Sequence, residues 1–98
     1  MIKVNIKKDQ IIIEGHSMYS SYGNDIVCAS VSSICITTVN ALLRFNDKCI
    51  SYEEKDGYLK ININEHNNYV DILIENMIDL LKELEKQYKK NIKVNEEV

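Results

Sequence analysis

The run Asn24-Asp25-Ile26-Val27-Cys28-Ala29-Ser30-Val31-Ser32-Ser33-Ile34-Cys35-Ile36-Thr37-Thr38-Val39-Asn40-Ala41-Leu42-Leu43-Arg44 pulls in two directions. Its β-branched residues, Ile26, Val27, Val31, Ile34, Ile36 and Val39, suit a strand by propensity. Against this, Val27, Val31, Ile34, Thr38 and Leu42 recur at three- or four-residue spacing, and Cys35 and Ala41 broaden the same face. Length and a period near 3.6 predict a buried helix ending near Arg44 to Asn46. Asn24 or Asp25 is placed to cap it, a side-chain oxygen accepting one of the unpaired N–H groups of the first turn.

Toward the N-terminus the period changes to two. Ile2, Val4 and Ile6 alternate with Lys3, Asn5 and Lys7, the pattern of a half-buried strand. Lys8-Asp9-Gln10 reads as a short turn, and Gln10 to Gly15 as the second strand of a hairpin. The unbroken Ile11-Ile12-Ile13 predicts burial on both faces. The chain leaves the core at Gly15-His16 and runs through a Ser/Tyr/Gly stretch, 17–23. That stretch suits either a lid whose Tyr19 and Tyr22 grip a substrate chain or a solvated connection.

Toward the C-terminus, Lys48 to Glu54 and Tyr58 to Asn64 are strand-like and joined through Lys55-Asp56-Gly57, a strong hairpin signal. Cys49, within the first of these strands, is expected to be buried. Asn64-Glu65-His66-Asn67-Asn68 is a polar connection in which one Asn caps the next helix and His66 is exposed. From Tyr69 to about Lys90, Val70, Leu73, Ile74, Met77, Ile78, Leu81, Leu84 and Tyr88 form a wide helical stripe, with lysines toward the C-terminal end. Ile72 and Leu80 lie off it, to pack on the sheet or serve a second subunit. Ile92, Val94 and Val98 alternate as a last, edge strand. The expected fold is therefore α/β: a small single domain spanning 1–98, with a mixed or antiparallel sheet of about five strands and two helices, in the order β-β-α-β-β-α-β.

Composition narrows the function. Apolar residues at 45% and charged residues at 28% are ordinary for a soluble globular protein. A net charge of −3 argues against nucleic acid as a direct partner, because phosphate binding rests on a basic patch. No apolar run is read as membrane-spanning, and the strand pattern begins at once, so no leader and no membrane partner are expected. Cys28, Cys35 and Cys49 cannot all pair within one chain, which points to a reducing, cytoplasmic setting. The spacing of the cysteines and of His16 and His66 fits no metal site, and no cofactor is expected.

Cys28 falls in the first helical turn, where unpaired N–H groups and the helix dipole favour a thiolate. His16, at the end of the preceding strand, is placed to take its proton. Spacing alone leaves two blander readings open, Cys28 as a small core residue and His16 as a solvated one. Cys35, one heptad further on, reads as core filler.

The block Gly15-His16, a loop, then Asp25-Ile26-Val27-Cys28-Ala29-Ser30-Val31-Ser32 closely resembles the ribosomal-processing cysteine protease family known as Prp. There a Gly-His pair precedes an Asp-Ile-Val-Cys-Ala-Ala-Val-Ser helix start at the same His-to-Cys spacing. Ser17 stands where the family usually has Ala, and Ser30 where it has the second Ala. Both residues are small and leave the chemistry untouched. The resemblance implies a cytoplasmic cysteine endopeptidase that trims the N-terminal extension of large-subunit ribosomal protein number twenty-seven. It also implies a homodimer. By position it carries over Gly15, His16, Asp25, Cys28 and Ser32.

On that reading Cys28 attacks the scissile carbonyl and His16 handles the proton. The N–H groups of Cys28 and its neighbours stabilise the oxyanion. Ser32, one turn on, supports the site, and Asp25 caps the helix, orients His16, or both. Tyr19, Tyr22 and Gly23 belong to a substrate-binding loop. Two other classes fit the same residues, a non-catalytic ribosome-associated binding module and a thiol redox protein. Thiol titration separates the three: a nucleophile is alkylated fast at mild pH, a core Cys slowly, and a redox Cys also forms a disulfide.

Overall fold

The structure is a computed structural model that describes residues 1–16, 18, 20 and 25–97. Chain order is β1 (Ile2–Ile6), β2 (Gln10–Glu14), α1 (Ile26–Phe45), β3 (Ile50–Lys55), β4 (Tyr58–Ile63), α2 (Asn68–Gln87) and β5 (Ile92–Glu96). This is the expected order of elements. The strands form one mixed sheet in the order β3-β4-β2-β1-β5. β1 and β2 are the first hairpin and β3 and β4 the second, and β2 pairs antiparallel with β4. β5 closes the far edge parallel to β1, with Ile2 opposite Ile92 and Ile6 opposite Glu96.

Alternation sets the two faces of the sheet. Ile2, Val4, Ile6, Ile11, Ile13, Ile61, Ile63 and Ile92 are all buried and join the helices in one core. Their neighbours on the opposite face are polar, among them Lys3, Asn5, Gln10, Glu14, Lys60 and Asn62. This corrects one expectation. Ile12 pairs with Asn5 and Lys60 on the open face and is only half-buried, so β2 is covered on one side, as an antiparallel neighbour can be.

α1 is a helix despite its β-branched residues because each of Val27, Val31, Cys35, Thr38, Val39 and Leu42 buries on one side. Leu42 is fully enclosed, so its truncation to Ala should cost about 2–5 kcal/mol. A second expectation also changes. At 20 residues and a mean hydropathy of 1.9, α1 is long and apolar enough to cross a membrane by length and composition. Serines and threonines break up its apolar runs, yet Arg44 is its only charge. A third of the window is buried, the buried residues being those that pack into the core.

α2 starts on Asn67, whose side chain accepts the Val70 N–H at 3.0 Å. It ends at Gln87, shorter than the sequence suggested, with Tyr88 as its C-cap. The two helices pack side by side, and Phe45 stacks on Tyr69 with ring centroids 4.3 Å apart and planes 8° apart. β3 is exposed throughout beyond Ile50, so the tip of the second hairpin stands clear of the core. That tip is what walls the site.

Candidate active site

β2 ends on Gly15, which has φ +99 and donates its N–H to the Gly57 carbonyl at 2.8 Å. A side chain at Gly15 would run into the Met1 carbonyl oxygen, so glycine is required there by space as well as by backbone angle. Gly15 lines the cavity described below, and the backbone it clears is that of Met1.

Asp25 is the N-cap of α1. Its Oδ1 accepts the N–H groups of Val27 and Cys28, each at 3.0 Å, and its Oδ2 accepts the Ser20 N–H at 3.3 Å. One carboxylate thus closes the helix and tethers the incoming chain. The geometry also changes an expectation. The Cys28 N–H, expected to face an oxyanion, already donates to Asp25. Oxyanion donors therefore have to be sought elsewhere around the cavity.

A cavity of about 530 Å³ opens where these elements meet. Gly15, His16, Asp25, Cys28 and Ser32 all line it. The chain folds so that β2 delivers His16 to one wall while the first turns of α1 supply Cys28 and Ser32. Tyr19, Tyr22 and Gly23 lie outside the described residues, as do Ser17, Asn24 and Val98. Met18, 79% exposed with φ 60, is part of the rim.

Sequence reasoning missed the third wall. Glu54, Lys55, Asp56, Gly57, Tyr58 and Leu59, around the β3–β4 turn, face the cavity. The Asp-Gly pair announced a turn, but nothing local in the sequence shows that the turn packs against His16.

The three thiols separate by environment, and none is in a disulfide. Cys35 is buried, and its thiol is pushed up to about 12 by burial. Cys49 is fully enclosed, is also pushed up, first by burial and then by Glu65, and donates its thiol to the Leu42 carbonyl at 3.4 Å. Cys28 is only partly buried and opens on the cavity. A thiol and an imidazole facing one solvent-open cavity beside a helix start can carry acyl transfer.

Comparison with known proteins places the chain in a family. The family model described as cysteine protease Prp matches residues 1–93. The ribosomal processing cysteine protease Prp of Bacillus subtilis (strain 168) is 30% identical over 87 residues, 82% of this chain and 78% of that protein. Its counterpart in Staphylococcus aureus (strain NCTC 8325 / PS 47) is 29% identical over 92 residues, 91% of this chain and 87% of that one. The crystal structure of an essential ribosomal processing protease Prp from S. aureus, with a covalently linked product peptide, superposes with a TM-score of 0.86 at 24% identity. It covers 98% of this chain and 97% of that one, and establishes the fold. SMU.848 from Streptococcus mutans matches with a TM-score of 0.75 at 27% identity, over 97% of this chain and 90% of that one. On the match along nearly its whole length, the chain belongs to the cysteine protease Prp family and is a cysteine-type peptidase.

Proposed function

We propose that Cys28 and His16 are the nucleophile and the general base of an endopeptidase that removes the N-terminal extension of large-subunit ribosomal protein twenty-seven. The observation that carries the pair is their shared cavity, on which Cys28 is half-buried, whereas Cys35, on the same cavity, is buried and Cys49 is enclosed in the core. The substrate reading rests on the relatives, named ribosomal processing proteases, and on the S. aureus crystal structure with a substrate peptide.

In the acylation step Cys28 Sγ bonds to the scissile carbonyl carbon while the thiol proton passes to His16. The C–N bond then breaks and His16 returns that proton to the leaving amine. Water attacks the thioester, its proton again taken by His16, and the C–S bond breaks to release the acid and restore the thiol. Asp25 acts in this scheme through the helix start, holding Cys28 in register. Ser32 and Gly15 shape the walls, and the substrate-binding role of Tyr19, Tyr22 and Gly23 rests on the sequence of the 17–23 stretch alone.

The reading extends to a cytoplasmic homodimer that needs no cofactor and touches no nucleic acid. It is supported by the thiols outside disulfides, by exposed Tyr69, Ile72 and Leu80 on α2, and by the net charge of −3. The test is incubation with the extended ribosomal protein from the same cell. The protein should shorten it, and the Cys28→Ala variant should bind the tail without cutting it. An extended substrate left intact overturns the substrate, and cleavage by Cys28→Ala overturns the nucleophile.

A further inference from the structure

We infer that Gly57, in the β3–β4 turn, is a positioning residue for the His16 imidazole. This rests on the reading of His16 as the general base. Two observations on separate atoms converge on Gly57. Its carbonyl accepts the Gly15 N–H at 2.8 Å, which fixes the backbone one residue before the histidine. Its bare Cα then faces the ring itself. A Cβ at Gly57 would stand 2.8 Å from His16 Nε2, 3.2 Å from Cε1 and 3.4 Å from Cδ2.

The turn does not by itself require glycine. At φ +67 Gly57 occupies the left-handed region, which Asn and Asp also enter at modest cost. Beyond that backbone cost, a side chain at Gly57 meets the imidazole. The Nε2 edge lies closer to that position than a Cβ tolerates, so any added carbon has to push the ring aside. The ring is a side chain and can move, so the fold survives while the base leaves its place. A displacement of about 1 Å in a reacting group is enough to cost on the order of 100-fold in rate. The second hairpin therefore has a task beyond completing the sheet: its turn is the surface against which the base is set.

The test uses Gly57→Asn, which suits the turn, and Gly57→Ala, each alone and combined with His16→Ala. Cleavage of the tail peptide gives kcat and KM, and iodoacetamide gives the pH–rate profile of Cys28 without any substrate. Both single variants should lose on the order of 10- to 100-fold in kcat, with KM within about threefold. Their iodoacetamide profiles should move toward that of His16→Ala. In the His16→Ala background the Gly57 change should add nothing. A Gly57→Asn enzyme with unaltered kcat and profile overturns the positioning role, and so does a loss of equal size in the His16→Ala background. Full turnover by His16→Ala is a different result: it removes the base itself, and the positioning role with it.

Discussion

The chain has two histidines, and they sit at opposite ends of β2. His66 is held by charge: its Nε2 bonds Asp9 Oδ1 at 2.6 Å and its Nδ1 bonds Asp71 Oδ1 at 2.9 Å. It links the β1–β2 turn to the first turn of α2. Asp71 first, and then Asp9, hold it above its ordinary value of 6.5. His16 has its ring edge against Gly57 in the wall of a cavity that Cys28 also lines. The difference is instructive. An imidazole bound by carboxylates at both nitrogens favours its protonated form and serves as a clamp. One that shares a cavity with a thiol suits the proton exchange proposed for His16.

The largest effect that could break this contrast is on turnover. His16→Ala should lower it by about 100- to 10,000-fold, the usual contribution of a positioned general base. His66→Ala should leave it unchanged in the same gel assay of tail cleavage. Similar losses from both variants would erase the distinction.

Thiol reactivity comes next. With Cys35 pushed up to about 12 by burial, roughly one part in ten thousand of it is thiolate at pH 8, and Cys49 is sealed as well. A limiting dose of iodoacetamide followed by mass spectrometry should therefore find the label on Cys28. A label on Cys35 or Cys49 first would remove Cys28 as the reactive thiol.

Two smaller effects concern stability. Asp25→Ala removes the cap that holds the Val27 and Cys28 N–H groups, and should cost about 1 kcal/mol in a denaturant titration. Asp25→Asn should recover most of it. The loss from His66→Ala should stay below about 1 kcal/mol, because the group is exposed. Its sign with pH follows from a folded pKa raised above the unfolded one. The stabilisation is complete below about pH 6.5 and fades as pH rises through the folded value. Denaturation of His66→Ala and the parent at pH 5.5 and pH 9 checks this, and an equal difference at both pH values would show that the clamp is not ionic.

The order of elements was legible because it depends on local signals: the two-residue alternation of Ile2, Val4 and Ile6, the Asp56-Gly57 turn, and cap residues at each helix start, though these signals do not choose between Asn24 and Asp25 or among the Asn residues of 64–68. The helical period of α1 outweighed its β-branched content for a similar reason, since one face buries as a unit. What stayed hidden depends on residues far apart in the chain. The parallel pairing of β5 with β1 left no local mark, nor did the open face that exposes one side of Ile12. At the site, the spacing of Gly15, His16, Asp25 and Cys28 was readable, and all four line the cavity. The opposite wall was not, because Gly57 meets His16 only after β4 is laid against β2. The Asp9–His66–Asp71 link was hidden for the same reason.

The pairing of β1 with its neighbours has a practical consequence for anyone handling this protein. Met1 lies against Gly15, and Ile2 lines the cavity, so a purification tag fused ahead of Met1 would emerge at the mouth of the site. β5 runs parallel to β1, from Ile92 beside Ile2 to Glu96 beside Ile6, and the Glu97 N–H bonds the Ile6 carbonyl at 2.8 Å, at the end of β1 remote from Met1. An affinity handle or fluorophore joined at the C-terminus would leave from the opposite end of the sheet, away from substrate traffic.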